Sequence, residues 1–195
     1  MHTRRIATFL LGAWMGGCLF MGVIEIQNLR SPALVMNAPP APAEKMIQTL
    51  GHDPAQLLLR YLAAQQNRHY SSVWEMVQIP LGLAVGLCLF FATQRRLLPL
   101  LLCALMLGLL LFQYFTITPE LAFRGPETDF PPGNAAVGPM ARMWALQQVY
   151  AGVEIAKLIA GGVLATYLFL LRTLRRRRSR ETDSIDHTYH GHINR

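Results

Sequence analysis

The chain has 195 residues, 52% of them apolar and 15% charged, with a formal net charge of +7. Ordinary soluble domains carry about 25% charged residues, so the composition argues against a soluble globular domain. The excess arginine gathers at the ends of long apolar stretches, which argues against nucleic acid as a partner and leaves a basic tail as the only place for such binding.

Arg4 and Arg5 precede a first apolar stretch, Ile6 to Ile26. Such a stretch resembles a signal peptide, and Met15-Gly16-Gly17-Cys18 has some likeness to a lipoprotein cleavage box. The apolar run continues through Leu19-Phe20-Met21-Gly22-Val23-Ile24, where a mature lipoprotein turns polar, so an uncleaved span is expected. Asn37-Ala38-Pro39-Pro40-Ala41-Pro42 follows as a stiff, non-helical connector, because proline lacks an amide donor and restricts the residue before it. A short helix is expected from Pro42 to about Leu50, stopped by Gly51.

Asp53 as cap, Pro54 at the first helical position and Gln56 at the third predict a strong helix start. No breaker follows before Pro80, so the helix runs into the second span, 73–93, over about 40 residues or ~60 Å. A bend near Tyr70-Ser71-Ser72 is the alternative, and Pro80 with Gly82 predicts a kink inside the span. Arg95 and Arg96 lead into the third span, 97–115. Thr118 to Pro139, rich in proline and glycine, predicts a loop, with Pro139 opening the helix of the fourth span, 144–171. Arg172, Arg175, Arg176, Arg177, Arg178 and Arg180 follow, and the polar segment 179–195 lacks apolar periodicity and predicts disorder.

Each span is close to the ~20 residues a helix needs to cross a ~30 Å hydrocarbon core. The expected fold class is therefore all-α: an integral membrane four-helix bundle over 1–178, with a helical extension of span two outside the membrane. The three arginine clusters fall on one side of this topology, which makes both termini cytoplasmic, with the lipid bilayer as partner and a bacterial inner membrane as the expected location. Cys18, Cys88 and Cys103 lie inside spans, as packing residues with no disulfide framework. Small residues four apart, Gly12 with Gly16, Gly82 with Gly86, Ala104 with Gly108 and Gly161 with Ala165, predict close helix approach.

Polar residues within the spans carry the remaining information. Glu154 and Lys157 stand at i and i+3 near the middle of the fourth span, where a lone charge costs at least ~2.5–3.5 kcal/mol. They predict either a proton- or ion-handling site or an ion pair that fixes packing. Met143, Gln147, Tyr150 and Gly161 share their stripe. A second stripe joins Arg60, Asn67, Ser71, Glu75 and Gln78. With Glu25, Gln113, Gln147, Tyr150 and Glu154 these predict one polar cavity in the half of the bundle away from the arginines, or solvated carboxylates at the headgroups. His187, His190 and His192 form a poor metal set without a folded context, so no metal and no cofactor is expected. No hydrolase triad, H-E-x-x-H or C-x-x-C motif occurs.

Leu10-Leu11-Gly12-Ala13-Trp14-Met15-Gly16 with Phe20, and Leu59-Arg60-Tyr61-Leu62 with Asn67-Arg68, Trp74 and Gln78, resemble uncharacterised bacterial four-span membrane proteins. That group carries a domain of unknown function related to eukaryotic four-span transmembrane proteins. The resemblance implies a membrane bundle and no established activity. The functional expectation is a structural or accessory membrane component acting by protein contacts, with a protein partner or a second copy, and not an enzyme. The alternative is a small transporter or proton-coupled element using the Glu154–Lys157 pair.

Overall fold

A long apolar run satisfies its backbone most completely as a helix, because every interior amide finds its acceptor in the same segment. The structure, a computed structural model, follows that rule. It describes residues 2–92, 97–129 and 137–190, with side chains over 2–92, 97–126 and 141–170. The described residues are helical, apart from short connections, with no strand among them. The elements are α1 (His2–Asn37), α2 (Ala41–Leu50), α3 (His52–Ala92), α4 (Leu97–Phe112), a π-helical turn (Gln113–Ile117), α5 (Thr118–Asp129) and α6 (Val137–His190). Four of the resulting helical rods, His2–Asn37, His52–Ala92, Leu97–Pro126 and Ala141–Leu170, are long and apolar enough to cross a membrane.

Several boundaries differ from expectation, each for a backbone reason. The first span continues as helix through Pro32 to Asn37, since the fixed φ of proline is itself helical and costs only a local hydrogen bond and ring fit. The short helix ends at Gly51 as expected, with φ 88° there and the Gly51 amide donating to the Ile47 carbonyl at 2.9 Å. The long helix is present and has 41 residues, unbroken at Tyr70-Ser71-Ser72. It starts at His52, one residue before the expected cap, so Asp53 belongs to its first turn and lies 3.5 Å from His52 Nδ1.

The expected loop after Thr118 is instead helical to Asp129. Pro119 would push its ring against the Phe115 carbonyl in a regular α-helix. The π turn just before it widens the backbone by one residue at that place. The tail is helical backbone to His190, where composition predicts disorder from Ser179. No proline or glycine interrupts 172–190, and Gly191 follows. Arg95, Arg96, 130–136 and 191–195 lie outside the described residues, as do the side chains of the arginine run.

Neighbouring rods pack antiparallel. Arg4 donates to the Leu168 carbonyl, Asn28 Nδ2 to Asn67 Oδ1 at 2.8 Å, and Cys103 Sγ stands 3.8 Å from the Gly82 carbonyl. One apolar core, including Leu11, Leu89, Met106, Leu110, Leu164 and Leu168, fills the half nearer the arginines. Outward positions carry large apolar side chains such as Phe9, Leu83, Phe91, Leu101, Ile159 and Phe169, each at least half exposed. A belt of that kind suits lipid as solvent. At the other end, Glu120 pairs with Arg124 at 2.5 Å and lies 3.6 Å from Arg142, which ties α5 to α6. The three described cysteines are unbonded.

Candidate functional site

Polar side chains form a ladder that descends from the loop end towards the middle of the assembly. The uppermost rung joins α1 and α3: Asn67 Nδ2 donates to the Glu25 carbonyl at 3.1 Å, and Ser71 Oγ to Glu25 Oε1 at 2.6 Å. One turn further along α3, Glu75 is fully buried and accepts from Thr118 Oγ1 with both oxygens, at 2.8 and 2.9 Å. Tyr150 of α6 hydrogen-bonds with both Glu75 and Ser71 and so links these two rungs.

The lowest rung holds the charged pair. Lys157 Nζ donates to Glu154 Oε1 at 2.7 Å and to Gln78 Oε1 at 3.1 Å, and the lysine is 1% exposed. Trp14 Nε1 donates to the same Gln78 oxygen at 2.9 Å, with Cys18 Sγ at 3.8 Å from it. Gln113 Nε2 donates to Glu154 Oε1 at 3.0 Å. This rung therefore draws members from α1, α3, the π turn and α6. Gln78 Nε2, Gln113 Oε1, Glu154 Oε2 and the Trp74 indole N–H are buried without a protein partner. A spare donor and two spare acceptors in one rung give it capacity for a further bridging hydrogen bond.

The structure thus gathers Glu25, Glu75, Gln78, Tyr150, Glu154 and Lys157 into one region. Arg60, from the same predicted stripe, lies exposed and apart. A cavity of about 710 Å³ sits above the ladder; Glu25, Ser71 and Tyr150, which belong to the ladder, form its inner end, and Tyr114 lines it as well. Gln147 and Thr118 line it too, whereas Glu75, Gln78, Glu154 and Lys157 lie beneath it. Among the described residues no three His, Cys, Asp or Glu side chains form a group able to hold a metal ion.

Sequence reasoning missed three members. Trp14 was only part of a resemblance, yet a buried indole N–H needs an acceptor, and that need is a usable signal. Thr118 opens a segment whose composition reads as a loop, and Cys18 lies in a span where a cysteine needs no role beyond packing. Comparison of the chain with known protein families, with functionally characterised proteins and with solved structures gives no match.

Proposed function

We propose that the chain is a small proton-coupled transport element, a four-helix transmembrane bundle of a bacterial inner membrane with both termini cytoplasmic. The observation that carries this reading is the charge content of the ladder. The ladder holds three carboxylates, Glu25, Glu75 and Glu154, and among the described residues one ammonium, Lys157, which bonds Glu154 while Glu25 and Glu75 accept from Ser71 and Thr118. A net negative charge inside a low-dielectric assembly costs several kcal/mol per uncompensated ion, so it must be offset by protons or by a cation that comes and goes. The arginine clusters at the termini and at Arg95-Arg96 support the orientation, with the cavity opening away from the cytoplasm.

A scaffolding role is the second reading. It is favoured by the lowest rung, in which Trp14, Gln78, Lys157, Glu154 and Gln113 cross-link all four rods. Scaffolding alone accounts for a pair whose charges cancel. It gives no reason for two further carboxylates where glutamine would accept the same hydrogen bonds from Ser71 and Thr118.

Infrared spectroscopy of the protein in lipid nanodiscs at neutral pH tests the proposal. The expected result is a protonated-carboxyl band that shifts in heavy water and loses intensity in Glu25→Gln or Glu75→Gln. A spectrum without any such band would overturn the proton-coupled reading in favour of scaffolding.

A further inference from the structure

The cavity above the ladder has a chemistry of its own. Its volume, about 710 Å³, falls among those of small-molecule sites. Its walls are apolar and aromatic, with Leu29, Phe115, Leu121 and Trp144 among them, and Phe115 and Trp144 are 70% and 61% exposed. The inner end is polar and acidic. Glu25 lines it directly, and Glu75 lies one hydrogen bond behind through Thr118 and Tyr150, which both line it.

Among the described residues, the charged and titratable groups that line this region or reach it through the ladder are Cys18 and Glu25 on α1, Arg68 and Glu75 on α3, Tyr114 on the π turn, and Tyr150, Glu154 and Lys157 on α6; on α5, Glu120 and Arg124 pair with each other. Lys157 is committed to Glu154 and Gln78 in the rung below. Arg68 is held on α3 by Gln65, through Nε at 3.3 Å and Nη2 at 3.0 Å, nearer the loop end than Ser71. The inner end is left with acidic charge next to aromatic rings. Carboxylates attract a cation, ring faces add cation–π attraction, and the apolar walls favour a greasy body.

We infer that this cavity binds an amphiphilic organic cation, its charged head at Glu25 and its apolar body between Phe115 and Trp144. The inference rests on the proton-coupled reading, in that the cation and the offsetting protons compete for the same carboxylates. A lipid acyl chain would need the apolar walls alone and would be indifferent to Glu25.

Two isosteric probes separate the possibilities. Tetraphenylphosphonium and tetraphenylborate share size and shape and differ in the sign of the charge. Binding of each to the full chain in nanodiscs is measured by equilibrium dialysis against empty nanodiscs, with proton release followed in weakly buffered medium. The expected result is saturable binding of the cation, about tenfold or more tighter than the anion, and weakened about tenfold in Glu25→Gln. Ala151→Trp, which fills the cavity without touching a charge, should abolish it while the protein stays monodisperse.

Equal affinity for both probes would overturn the inference, as would cation binding unchanged in both variants. Absence of saturable cation binding while the protonated-carboxyl band persists would overturn the inference and leave the proton-coupled reading standing. Saturable, Glu25-dependent binding without proton release would uphold the cation site and count against proton coupling.

Discussion

The two halves of the assembly solve the same packing problem with opposite chemistry. Towards the arginines, Ala7, Leu11, Val85, Leu89, Met106, Leu164 and Leu168 close the interior with apolar side chains. Towards the loops, Glu25, Ser71, Glu75, Thr118, Tyr150 and then the Glu154–Lys157 rung occupy equivalent inward positions. In a bilayer, whose tails are as apolar as leucine, neither half would be held by hydrophobic drive between helices; close packing and interhelical hydrogen bonds would hold them. The apolar half has the simpler solution. The polar half keeps charges that a purely structural interior would not need, and it stops abruptly at Gln78 and Lys157. The result is a polar half with a closed base: the ladder ends against a plug of leucine.

The strongest way to break this contrast is at the base of the ladder. Lys157→Met removes the ladder's one ammonium among the described residues and leaves Glu154 with Gln113, and Gln78 with Trp14, as the remaining donors; the buried carboxylate then stands uncompensated, so the change should destabilise the protein by about 3–5 kcal/mol. Adding Glu154→Gln removes the stranded charge, and the double variant should be about as stable as the parent. Thermal unfolding in detergent, run as a double-mutant cycle, checks this. Additive effects at the two positions would dissolve the unit. In the apolar half, Leu164→Ala opens a cavity at a fully buried site and should cost about 2–5 kcal/mol. Its protonated-carboxyl band should match that of the parent in infrared spectra. A changed band would mean that the two halves are not independent.

Much of the architecture was legible because the controlling signals are local. Apolar runs of span length, the Gly51 stop and the unbroken stretch before Pro80 each act within one segment, and each corresponds to an observed helix or terminus. Glu154 and Lys157 were legible through spacing, and Ser71, Glu75 and Gln78 through a shared stripe. Partners supplied by another rod were not. Nothing in the sequence around Trp14 specifies that its indole meets Gln78, and nothing around Thr118 specifies Glu75. Proline content misled at Pro119 to Pro126, because helices absorb proline by local adjustment where neighbours hold them. The small-residue pairs were an uneven guide. Gly82 and Gly86 face neighbouring side chains, while Gly12, Gly16 and Gly108 face open space, and Gly17 is the α1 glycine pressed against the Trp74 ring.

That unevenness gives the finest test of where the two halves meet. Gly82 lies one turn past Gln78, at the base of the ladder. A Cβ there would stand 2.5 Å from Leu107 Cδ2 and 2.8 Å from Trp14 Cη2. The leucine methyl can swing aside. The Trp14 ring cannot do so freely, because it is fully buried and its N–H is engaged by Gln78. Gly82→Ala should therefore cost about 1–3 kcal/mol, with part of the loss transmitted to the Lys157 rung through Gln78. Gly12→Ala is the matched control. It lies one residue from buried Leu11 on the same helix, meets nothing within 4 Å, and should be neutral or stabilising by up to about 1 kcal/mol through helix propensity. Unfolding midpoints of the two variants, with Trp14→Phe added to each, decide the matter. Trp14→Phe shortens the ring and removes the donor, so it should recover part of the Gly82→Ala loss and leave Gly12→Ala without rescue. Equal behaviour of the two glycine variants would mean that close approach at Gly82 does not couple the leucine plug to the polar ladder.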